Sequence, residues 1–120
     1  MFKFLSLVVV AGASLLGFVS CAAAQHAAEV RPKPLKALLI LGGCCHDYAR
    51  QKNILKKGIE SRVLAEVTIV YSADKSTKAT FDIYNSPKWA DGFDVVIHDE
   101  CSADVKDLPY VQNILSPHKA

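Results

Sequence analysis

The sequence predicts an α/β fold built on a parallel sheet. Two observations predict it. Three short apolar segments alternate with helical patterns in the order β-α-β-α-β-α. The first of them is continuously apolar, the pattern of a strand covered on both faces. At 120 residues the chain has room for one domain at most.

The first residues stand apart from that domain. Lys3 gives a short basic start, Phe4 to Val19 is apolar with only small interruptions, and Ala22-Ala23-Ala24 offers an A-x-A cleavage site. The apolar run is shorter than the ~20 residues a membrane span needs. Residues 1–24 are therefore expected to be a Sec-type signal peptide, with the protein exported to the periplasm or the extracellular space. Lipidation at Cys21 is the competing reading. Contact with a membrane is expected only through this segment, if it is uncleaved or lipidated. Residues 25–34, "QHAAEVRPKP", read as a linker, because Pro32 and Pro34 favour extended backbone. The domain is expected over 35–120.

Lys36–Leu41 is the first strand, and Gly42-Gly43 ends it. A helix is expected from Asp47, a good N-cap, to about Leu64, with Ile54, Leu55, Ile59 and Val63 on its apolar face. "EVTIVYS", residues 66–72, is β-branched and reads as the second strand. "NSPKWA" predicts a short helix with Ser86 as cap and Pro87 at its first position. Trp89 is expected to cover the sheet. "FDVVIHD", residues 93–99, is a third strand with a buried centre, and Asp107 caps a last helix to about Leu115. Three strands are few for a sheet covered on both faces, which points to the front part of a longer domain.

Charge excludes little. Without Lys3 the acidic and basic residues nearly balance, and no basic stripe interleaved with aromatic residues suggests nucleic acid. The cysteines say more. Removal of Cys21 leaves Cys44, Cys45 and Cys101, an odd number for an oxidising compartment.

In an open parallel sheet, ligands bind beyond the carboxyl ends of the strands, where strand order reverses. In the order 2-1-3, found in flavodoxin-like sheets, strands one and three are neighbours. Their ends then bring Cys44, Cys45, His46 and Asp47 opposite His98, Asp99, Glu100 and Cys101. His46, Asp47 and Glu100 are the candidate catalytic residues, with His46 as general base and a carboxylate to orient it. Cys45, His46, His98 and Cys101 are candidate ligands for a divalent metal such as zinc, which takes these residue types. Neither a C-x-x-C nor an H-x-x-x-H spacing singles that set out. A Cys44–Cys45 disulfide would strain the intervening peptide, so pairing of Cys44 or Cys45 with Cys101 is the easier bond. Cys44 itself reads as a small buried turn residue. Cys101 as a nucleophile lacks the flanking glycines of a nucleophile elbow. Gly42-Gly43 as a phosphate cradle lacks the rest of a phosphate-binding pattern.

"ALLILGGCCHDY", then an amphipathic helix, then "IYNSPKWADGFDVVIHDEC" resembles the ThuA-like, or trehalose-utilisation, domain family. His46-Asp47 matches the histidine–aspartate pair that ends the family's first strand. Phe93–His98 matches its third strand, and the likeness spans about residues 35–118. The resemblance implies a class I glutamine amidotransferase-like, flavodoxin-like three-layer sandwich, incomplete here because the family's next strand would follow Ala120. It does not imply amidotransferase activity. It implies a small-molecule carbohydrate ligand or substrate of the trehalose type. Whether the crevice turns that molecule over or only binds it stays open, as does a thiol or metal-binding redox module on the same fold.

Overall fold

The computed structural model describes residues 31–119. The expected signal segment, Cys21 and residues 25–30 of the expected linker lie outside the described residues.

Strands β1 (Leu35–Gly43), β2 (Ala65–Tyr71) and β3 (Val95–Cys101) form one parallel sheet in the order β2-β1-β3. The α/β class and the 2-1-3 order are thus observed. In register, Leu39 faces Ile69 on one side and Ile97 on the other. β1 is central and buried from Ala37 to Gly43, as its unbroken apolar run requires.

Alternation along β1 divides the core in two. Ala37, Leu39 and Leu41 pack on one face with Tyr48 and Val67, under Leu55 and Ile59 of helix α1 (Tyr48–Glu60). Leu38 and Ile40 pack on the other face with Phe81, Tyr84 and Trp89, beside Tyr110 and Ile114 of helix α2 (Leu108–Leu115). Trp89 covers the sheet as expected.

Four expectations need correction. α1 ends at Glu60, four residues early, because local donors take its last carbonyls: the Ser61 hydroxyl and the Arg62 guanidinium both donate to Gly58 O, at 3.1 and 2.8 Å. Its end is also pinned to β2. Glu60 accepts from the Lys56 ammonium at 2.6 Å and from Val67 N–H at 2.9 Å. The apolar face is narrower than expected. Leu55 and Ile59 pack, while Ile54 and Val63 are more than half exposed. "NSPKWA" forms turns, and the helical piece lies just before it as a short 3-10 turn, Asp82–Asn85. There the Ser86 hydroxyl accepts from Lys88 N–H, a local turn that competes with a helix. β3 is an edge strand with β1 as its neighbour, so it is half-buried rather than buried, and Val95 is exposed.

Candidate functional site

The carboxyl edge of the sheet is shaped by two glycines. Gly42 and Gly43 both have positive φ, +146° and +93°. A Cβ on Gly42 would lie 2.6 Å from Ser72 O, and one on Gly43 would lie 2.0 Å from Cys101 O. Only glycine lets β1 end this close to both neighbours. Cys44 N–H then donates to Cys101 O at 3.2 Å, which holds the ends of β1 and β3 together. Cys45 takes a left-handed turn, φ +84°. Asp47 caps α1, its carboxylate accepting from Arg50 N–H at 3.2 Å.

Beyond the strand's end the alternation of side chains stops, and the three sulfurs of Cys44, Cys45 and Cys101 lie within 4.8 Å of one another. The disulfide joins Cys44 to Cys45, and Cys101 is a free thiol 3.3 Å from Cys44 Sγ. The expected bond to Cys101 is therefore corrected: the turn at Cys45 brings adjacent side chains to one side. The three residues form a group that could hold a metal ion. Cys44 belongs to it, although the sequence reading made it a turn residue.

Asp99 shares its face of β3 with Cys101, and Tyr48 lies near both. Burial raises the pKa of Asp99; the charge of His46 opposes that rise and the charge of Glu100 adds to it. Burial also raises that of Tyr48, helped by Asp99, Cys101 and Glu100.

A second cluster projects from the other face of β3. His98 Nδ1 and Glu100 Oε1 are 2.7 Å apart. Tyr84, 1% exposed, donates its hydroxyl to the same Glu100 oxygen at 2.5 Å, and its oxygen is 3.1 Å from His98 Nδ1. His98 Nε2 is 3.2 Å from Nε2 of His118, which follows α2. Trp89 fixes the floor, donating from its indole to Asn113 O at 2.9 Å, with its ring edge-on to His98. Burial pushes the Tyr84 hydroxyl far above its ordinary pKa, and the carboxylate of Glu100 adds to this.

The expected site residues thus divide. Glu100 joins His98, with Tyr84 and His118. His46 and Asp47 instead line a shallow cleft with Tyr71, Ser72 and Asp74, beyond the end of β2. His46 is exposed, edge-on to Tyr48. Among the described residues no hydrogen bond or ion pair joins it to Glu100. The expected zinc set of Cys45, His46, His98 and Cys101 does not converge either. Strand parity puts His98 and Glu100 on one face of β3, and Asp99 and Cys101 on the other. That parity was readable in "HDEC". Sequence reasoning missed Tyr84 and His118, because their roles depend on chain segments that meet only in the fold.

A scan of family models, a search of curated proteins and a search of solved structures each find no match to this chain.

Proposed function

We propose that this chain is an exported ThuA-like domain on a flavodoxin-like, class I glutamine amidotransferase-like frame. In this reading it acts on a small carbohydrate-derived molecule at the carboxyl edge of β3. The 2-1-3 sheet order and the quoted sequence likeness support the frame. The observation that carries the site is the 2.7 Å contact between Glu100 and His98.

An ionised carboxylate can only accept, so His98 Nδ1 carries a hydrogen toward Glu100. In its neutral form such a ring presents Nε2 as an acceptor, the arrangement of a general base oriented by a carboxylate. Tyr84 holds the carboxylate from below. In that tautomer His98 Nε2 can accept from a hydrogen on His118 Nε2, 3.2 Å away. Removal of such a base costs about 10²–10⁴-fold in rate.

The test is turnover and binding by the full chain across trehalose-type disaccharides and their oxidised forms. His98→Asn and Glu100→Gln are expected to lose turnover by at least ~10²-fold while retaining binding. Binding without turnover by the unaltered chain would identify a sugar-binding module instead. Neither binding nor turnover would remove the carbohydrate reading.

A further inference from the structure

We propose that Cys44, Cys45 and Cys101 form a redox-gated site for a soft, thiophilic metal ion, of the class of copper(I) and cadmium. The site is closed when Cys44 and Cys45 are bonded to each other, and it opens when that bond is reduced. It is independent of the carbohydrate reading, because the His98–Glu100 pair projects from the other face of β3.

The frame of this site is preset. The register places Gly43 opposite Cys101, the Cys44 N–H bond to Cys101 O locks the next residue, and the glycine keeps the approach close. The main rearrangement is confined to the bonded pair, whose sulfurs part when Cys44–Cys45 is reduced. Ligands held at ~2.3 Å from a thiolate-bound ion stand ~3.8–4.0 Å apart in tetrahedral or trigonal arrays. Here Cys44 and Cys101 begin at 3.3 Å, all three sulfurs lie within 4.8 Å, and Cys44 and Cys45 are at bonding distance until reduced. The three sulfurs form a triangle rather than a line. Direct exchange between Cys101 and the disulfide needs the sulfurs in line. With one leg of 3.3 Å and a disulfide bond of ~2.05 Å, the outer sulfurs would then be more than ~5 Å apart, which they are not.

The donors choose the ion. Three thiolates without an imidazole or carboxylate in the group favour soft cations over magnesium or calcium. Cys44 is buried, Cys101 is half-buried and Cys45 is exposed, so the site has a floor and one open side.

Opening is balanced by an external dithiol. It delivers two electrons and two protons to Cys44 and Cys45, which become thiols, and it is itself oxidised to a disulfide. Ion binding then displaces thiol protons to solvent.

The experiment uses the full chain carrying Cys21→Ser, so that only these three thiols remain. Cadmium(II) is titrated into the air-oxidised chain, and into chain reduced with a phosphine that is then removed. The thiolate-to-cadmium absorption and the bound metal are read together. The expected result is a single cadmium per reduced chain, held at least ~10-fold more tightly than by the oxidised chain, with Cys101→Ser losing at least ~10-fold. His46→Ala and His98→Ala should bind as the unaltered chain does. Equal affinity in both redox forms, or an unchanged affinity in Cys101→Ser, would overturn the proposal. If Cys101→Ser fails to fold, alkylation decides on the unaltered thiols. Cadmium should protect Cys44, Cys45 and Cys101 together, and an unprotected Cys101 would equally overturn it.

Discussion

Tyr84 and Glu100 share a 2.5 Å hydrogen bond on the face of the sheet that carries Leu38 and Ile40, the phenol donating to the carboxylate oxygen that also meets His98. The second oxygen of Glu100 is buried and has no partner among the described residues. The phenol therefore supports a carboxylate that has few other donors.

Tyr84→Phe keeps the ring and removes the donor. A buried charged acceptor that loses its partner costs about 1–3 kcal/mol. For a domain of this size each kcal/mol lowers Tm by about 4–8 °C. Thermal unfolding is expected to show that loss, and the NMR chemical shifts of the His98 ring should move with it. An unchanged Tm and unchanged His98 ring shifts would mean that the bond supports neither fold nor site.

Gly43 and Gly92 have similar positive φ, +93° and +85°, but different surroundings. A Cβ on Gly43 would overlap Cys101 O, whereas one on Gly92 meets nothing within 4 Å. Gly92→Ala is expected to cost only the left-handed backbone, about 1–2 kcal/mol. Gly43→Ala must also push β1 and β3 apart, and should leave no cooperative unfolding transition. Comparable urea midpoints for the two variants would contradict the close approach at Gly43.

Much of this frame was legible. The unbroken run in β1 announced a central strand, and Asp47 and Asp107 both cap helices as their positions suggested. The sequence could not say which side of α1 meets the sheet, since the adjacent Ile54 and Leu55 are equally apolar. Nor could it show that three sulfurs separate from the two histidines. Counting residues along "HDEC" separates His98 from Cys101, but the return of Tyr84 and His118 to one point depends on loops with no periodic signal.

The α1 correction is itself measurable. Leu55 packs against the core beside Tyr48, and Ile54 is 58% exposed. Ile54→Ala should stay within about ±0.5 kcal/mol of the unaltered chain, as surface changes do. Leu55→Ala is half-buried and is expected to lose about 1–3 kcal/mol, below or at the low end of the range for full burial. Urea unfolding with a shared m-value checks both, and the reverse ranking would restore the wider face.

Asp99 and Glu60 should drive stability in opposite directions with pH. Asp99 has one carboxyl oxygen that is buried and without a partner among the described residues, and burial raises its pKa. The groups around it are Tyr48, Cys101, Glu100 and His46, of which only His46 favours its charge. The folded state therefore holds the Asp99 proton more tightly than the unfolded chain, whose carboxyl titrates near ~3.9. Its stabilising contribution is complete below that value and is lost as pH rises through the raised folded value. At neutral pH the ionised group is a cost. Glu60 is the reverse case. The Lys56 bond, and then Val67 N–H, lower its folded pKa. Its contribution is present above the unfolded value of ~4.3 and fades as pH falls through the folded one. Asp99→Asn is thus expected to raise Tm at neutral pH and to lose that advantage at or below pH ~4. Glu60→Gln should lower Tm at neutral pH and converge with the unaltered chain in acid. A Tm difference for Asp99→Asn that is the same at both pH values would show that the Asp99 carboxyl is not held in the buried, proton-retaining environment described above.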